Sequence, residues 1–283
     1  MQLRKGQEAV AMIGAHASIR SQNVLWFLGS SGLIATLLVL PASSATASRE
    51  TSAPGSIVAS SASGIAKVDY GKLPLSFEVN SGQANRRVKF LARGSGYNLF
   101  LAPTEATLTF RRSSKNALTP TTRLRIQHVG ANAEPEMSGR EKLPGKVSYF
   151  IGNDPKQWRT DIPTYARLEY RDVYPGVDLI YHGAQGSLEY DFVVAPGADP
   201  SGIALAFHGA EKLEIDSEGN LLLRVAGGSL RQQKPHIYQE VDGVRRKIDG
   251  GYVFRSLSQR DSSHGARGIG FHVAAYDTSK PLI

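Results

Sequence analysis

From residue 73 onward the apolar residues recur with a period of two, and this alternation narrows the fold more than any other feature of the chain. Successive side chains of a strand point to opposite faces. Leu188, Tyr190, Phe192 and Val194 therefore share one face, and Glu189 and Asp191 share the other. Arg123-Leu124-Arg125-Ile126 and Lys212-Leu213-Glu214-Ile215 alternate in the same way. No stretch after residue 73 keeps an apolar stripe at helical spacing for three turns. One short helical turn is predicted at Asn153–Trp158, with Asp154 as cap and Pro155 in the first position.

Turn residues punctuate the strands. Asp242-Gly243 sits between two strand-like runs and is the strongest hairpin signal. Asp216-Ser217-Glu218-Gly219-Asn220 reads as a loop with Gly in a left-handed position. Many short strands with regular turns predict an all-β fold: antiparallel, sandwich-like, with room for two stacked subdomains and a sub-boundary near 130–145, where Gly, Pro and polar residues concentrate.

The first 47 residues read as a signal sequence. Arg4, Lys5 and Arg20 precede an uncharged apolar stretch at 24–40, and Ala45-Thr46-Ala47 offers small residues for cleavage after Ala47. At 17 residues the apolar stretch also leaves a retained anchor open. Residues 48–72 read as a Ser/Ala/Gly-rich flexible linker, and 73–283 as the β-rich domain. The expected location is outside the cytoplasm: secreted, cell-surface or periplasmic. There is no Cys, which removes disulfides, zinc–thiolate sites and Cys nucleophiles together.

Several long motifs, in order, carry a family resemblance. They are Phe77-Glu78-Val79-Asn80-Ser81-Gly82-Gln83, Val147-Ser148-Tyr149-Phe150-Ile151-Gly152-Asn153-Asp154-Pro155, Val173-Tyr174-Pro175-Gly176-Val177-Asp178-Leu179, Leu188-Glu189-Tyr190-Asp191-Phe192 and the ending Tyr276-Asp277-Thr278-Ser279-Lys280-Pro281-Leu282-Ile283. Over roughly residues 73–283 the chain resembles the N-terminal β-rich domain of bacterial SBBP-repeat proteins, named for seven-bladed β-propeller repeats. The resemblance implies an exported β-domain of unknown function with no catalytic residues to transfer. It also implies propeller repeats after the Pro-Leu-Ile ending, where this sequence stops.

Two constellations are candidates for chemistry. Glu189 and Asp191, two apart on a strand, would hold their carboxylates roughly 6–7 Å apart, within the range of glycosidase pairs; a solvated strand face is the bland alternative. Trp158, with Asp154, Asp161 and Tyr165 nearby and Tyr149, Tyr170, Tyr174, Tyr181 and Tyr190 in the same aromatic-rich region, is a candidate ligand-binding group for sugar rings. The alternative is that these aromatics fill a core. The histidines are scattered with no metal-ligand spacing, so neither metal nor cofactor is expected.

Formal net charge is +8, spread along the chain in pairs such as Arg86-Arg87 and Arg245-Arg246. No basic run interleaves with aromatics, so nucleic acid is not an expected partner. Polysaccharide or other cell-surface components, and a β-propeller domain or protein, are. No membrane contact is expected beyond the signal segment. The leading reading is a non-catalytic exported β-module for structure, adhesion or ligand binding. The runner-up is a carbohydrate-active enzyme or glycan-binding module. A periplasmic assembly partner is the third, to be favoured by an exposed apolar patch.

Overall fold

The alternation becomes strands nearly everywhere. A computed structural model describes residues 13–15, 75–94, 96–110, 122–184, 187–226, 228–258 and 267–283. Apart from 13–15, the stretches expected to be a signal segment and a linker lie outside these residues. In chain order the strands are β1 (Ile13–Ala15), β2 (Phe77–Val79), β3 (Phe90–Gly94), β4 (Tyr97–Ala102), β5 (Glu105–Phe110), β6 (Thr122–His128), β7 (Glu136–Tyr149), β8 (Arg159–Tyr174) and β9 (Val177–Ala184). There follow β10 (Ser187–Val194), β11 (Ala204–His208), β12 (Ala210–Ile215), β13 (Leu221–Val225), β14 (Gly228–Gln232), β15 (Ile237–Val241), β16 (Val244–Ile248), β17 (Gly250–Arg255) and β18 (Arg267–Val273).

Most strands join one antiparallel sheet in the order β1-β10-β9-β8-β2-β3-β4-β5-β6-β11-β18-β17, with β7 added beside β8. β12, β13 and β14 form a small second sheet, and β15 and β16 a hairpin. The inner face of the large sheet contributes Phe77, Leu99, Leu108, Leu124, Leu168, Tyr170, Tyr181, Tyr190, Phe192 and Phe207 to one core. Leu213, Leu221, Leu223 and Leu230 of the small sheet pack into the same core. The fold is therefore all-β, antiparallel and sandwich-like.

Local turn chemistry agrees with the strand pattern. Asp242 and Gly243 both have positive φ, 54° and 76°, as a two-residue type I′ turn requires, and Val241 pairs with Val244 across it. In the second predicted loop Gly219 takes φ 86°, and Asp216 Oδ1 accepts the backbone N–H of Glu218 and of Asn220.

The stretch near 130–145, expected to hold a sub-boundary, is largely occupied by β7. Its Gly and Pro residues are tolerated because β7 pairs on one edge only, and none of its residues is buried. Gly139 has a packing reason as well: a Cβ there would lie 2.4 Å from the Tyr165 ring, which covers it from β8.

Candidate functional site

β7 and β8 pair from Glu136↔Arg171 out to Tyr149↔Arg159. The other edge of β8 is shared by β9, from Arg167 on, and by β2, whose last partners are Thr164 and Tyr165. Before Thr164, β8 has only β7 as a neighbouring strand among the described residues. The outer part of the pair is thus a two-stranded ribbon whose tip is residues 150–158.

A buried carboxylate holds the base of that tip. Glu78, on β2, is 3% exposed. The Tyr149 hydroxyl lies 2.6 and 2.7 Å from its two oxygens. Arg93, on β3, donates to the Tyr149 hydroxyl at 2.7 Å, brings Nε to 3.4 Å from Glu78 Oε1, and lies over the Tyr149 ring. Burial, and then the adjoining Glu78 carboxylate, push the Tyr149 hydroxyl above its ordinary value, with the Arg93 guanidinium pulling the other way. One hydroxyl therefore ties the ribbon to two strands of the main sheet.

The tip itself is apolar and outward. Phe150 is 65% exposed and Ile151 59% exposed. Trp158 packs edge-to-face on Phe150, with centroids 5.1 Å apart and planes at 85°, and its indole N–H donates to the Gly152 carbonyl at 3.2 Å. Asp154 caps the 3₁₀ turn Pro155–Gln157 through the Lys156 N–H, as its sequence position predicts. Its role in the structure is thus to shape the loop. Asp161 sits at φ 58° and pairs with Lys146 at 3.1 Å. Tyr165 is half-buried, edge-to-face with Phe90. Of the four ligand-binding candidates, Trp158 and Asp154 share the tip, Asp161 lies on the ribbon just behind it, and Tyr165 packs within the fold.

Cations lie in the tip and at its base. Arg159 lies against the loop 80–88: a Cβ on Gly82 would come within 3.1 Å of its Nε. Asn80 folds that loop by accepting from the N–H of Gly82 and Ala84 and donating to the carbonyls of Asn85 and Val88. The loop presents Arg86 and Arg87 to solvent, and Lys156 is exposed within the tip.

Glu189 and Asp191 are elsewhere and are not on a solvated face. Both are buried, at 8% and 7% exposure, and His182 of β9 lies between them. Its Nε2 is 2.9 Å from Asp191 and its Nδ1 3.9 Å from Glu189. The register explains this, because Glu189 stands opposite His182 across the β9–β10 pair. Period two assigns the two acids to one face but does not reveal that the face is covered.

The remaining aromatics are core. Tyr170, Tyr174, Tyr181 and Tyr190 are all under 5% exposed. The cavity that Tyr181 and Tyr190 line, with Leu108, Leu124, Phe207 and Leu223 among others, has a volume of about 20 Å³. That is about the size of one water molecule and far short of a sugar ring, and its lining is almost wholly apolar. Among the described residues no group of three or more His, Asp or Glu could hold a metal ion.

Sequence reasoning missed Phe150, Ile151 and the Glu78–Arg93 pair as parts of a site. The signal for the first two is present: two adjacent bulky apolar residues run straight into the turn cluster Gly152-Asn153-Asp154-Pro155, where polar residues are the norm.

A family model described as a domain of unknown function (DUF7948) matches residues 77–283. No curated protein and no solved structure matches the chain.

Proposed function

The chain belongs to the DUF7948 family of domains of unknown function, and from that premise we propose that it is a non-catalytic exported binding module that meets its partner with the tip of the β7–β8 ribbon. Family membership assigns no activity, so the reading rests on geometry. The observation that carries it is the pair Phe150 and Ile151, adjacent, more than half exposed, and held on a ribbon anchored by Glu78 and Arg93. Exposing two large apolar side chains is unfavourable for a solvated loop, and such patches mark contact surfaces. Export is supported by the charged, apolar and small-residue order of residues 1–47. A place beside a β-propeller rests on the sequence motifs alone.

One observation favours the enzyme reading: Glu189 and Asp191 flank a histidine in a mostly buried cluster, as acid–base groups often do. One experiment separates the two. The full chain, Phe150→Ser/Ile151→Ser and Glu189→Gln/Asp191→Asn are applied to an array of polysaccharides and cell-envelope fractions, with released sugars assayed in parallel. Binding lost only in the tip variant is the expected result. Sugar release abolished by Glu189→Gln/Asp191→Asn would replace the binding-module reading with a hydrolase.

A further inference from the structure

We infer that the partner of the ribbon tip is an anionic lipid surface, into whose interfacial layer Phe150, Ile151 and the free part of Trp158 insert. This rests on the tip being a contact surface and names what it contacts. It departs from the sequence expectation that only the signal segment meets a membrane.

Shape gives the first argument. Sugar sites are typically concave or flat, and a ring lies against an open aromatic face. Here the apolar residues end a projecting ribbon, and the Phe150 and Trp158 planes stand at 85°, so the two do not form one platform. Ile151, 59% exposed, offers aliphatic area with no polar complement for hydroxyl groups. Apolar side chains at a protruding end, with an amphipathic indole beside them, match the chemistry of the bilayer interface. The indole N–H already donates to the Gly152 carbonyl, so insertion does not strand that donor.

Charge gives the second argument and selects anionic lipid. Lys156 lies in the tip, Arg159 follows Trp158 directly, and the loop that Arg159 touches at Gly82 carries the exposed Arg86 and Arg87. Of the nearby acids, Asp161 pairs with Lys146 and Glu78 with Arg93, while Asp154 keeps its charge within the tip; Arg86, Arg87, Lys156 and Arg159 outnumber it. Cations behind an apolar tip would lie at headgroup level when the tip is inserted.

The chain has two tryptophans, and Trp26→Phe leaves Trp158 as the reporter. The full-length Trp26→Phe chain is titrated with vesicles of phosphatidylcholine and phosphatidylglycerol in equal parts, with and without bromine on the acyl chains. The expected result is a blue shift of Trp158 emission and quenching by the brominated lipid. Phe150→Ser/Ile151→Ser should weaken partitioning by roughly tenfold with far-ultraviolet circular dichroism and the urea midpoint unchanged. Arg86→Ala/Arg87→Ala should weaken it several-fold at low salt, an effect that fades as salt is raised.

Trp158 emission indifferent to vesicles overturns the proposal, even if the chain sediments with them, because another segment is then responsible. A shift with soluble alginate but none with vesicles also overturns it, reassigning the tip to acidic polysaccharide while leaving it a contact surface. Indifference to both, with envelope binding on the array unaffected by the tip variant, removes the contact-surface reading as well.

Discussion

His128 lies wholly inside the core, 2% exposed, with Nε2 3.2 Å from the Tyr181 hydroxyl and its ring edge-to-face with Tyr170. Burial disfavours the imidazolium and lowers its pKa from 6.5 to about 4. The sign of the pH effect follows. Below pH 6.5 the unfolded chain binds a proton here that the native chain refuses, so stability is lost as pH falls. The loss is complete once pH passes about 4, where the native residue is protonated too. Across that window it amounts to about 3 kcal/mol. Urea unfolding from pH 7 to 4 should show the wild type losing stability more steeply than His128→Gln. Parallel profiles would mean that this histidine is not the acid-sensitive group. The same residue illustrates a limit of one-dimensional reading. Its strand alternates legibly, but a histidine on the core side and one on the solvent side look alike in sequence.

At the scale of elements, the ribbon depends on one hydroxyl. Tyr149→Phe would remove the hydroxyl donor from the buried Glu78 carboxylate and leave it the exposed Arg93 at 3.4 Å. Losing a hydrogen bond to a buried charge costs about 1–3 kcal/mol. Tyr149→Phe should therefore destabilise the protein by that order and raise amide exchange selectively in β7 and in β8 before Thr164. Glu78→Gln should reduce the effect of Tyr149→Phe, because the two act on one interaction. Additive effects would contradict the latch. The strands of this latch were legible from their alternation, and the Asp154 cap from Asp-Pro. That Glu78, Arg93 and Tyr149 meet was not legible, since they come from β2, β3 and β7, up to 71 residues apart.

At the scale of the whole molecule, the last residues join the hairpin β15–β16 to the main sheet. Leu282 exchanges both backbone hydrogen bonds with Val194 at the end of β10, and Ile283 exchanges both with Tyr238 of β15. Gln239 Nε2 is within hydrogen-bonding reach of the carbonyls of Asp277, Lys280 and Pro281 and donates to that segment. Both Leu282 and Ile283 are fully buried. Leu282→Ala should cost about 2–5 kcal/mol, the usual range for opening a cavity in a packed core, read as a lowered urea midpoint. A loss under 0.5 kcal/mol would show that this segment adds little to the fold, since surface substitutions give effects of about that size.

The sequence by itself determined that this chain is antiparallel and all-β, because period two and turn chemistry are local and each strand carries its own signal. The Asp242-Gly243 hairpin is the clearest case, specified by two residues that readily take the positive φ a type I′ turn requires. Tertiary structure alone decided which aromatics are core and which project. Tyr170, Tyr181 and Tyr190 face inward on strands closed by a second sheet, while Phe150 is exposed at the end of a ribbon with Trp158 half-buried against it. It also decided that Glu189 and Asp191 are buried around His182. The physical reason is the same in each case. Alternation states which residues share a face, whereas burial depends on what strands distant in sequence place over that face.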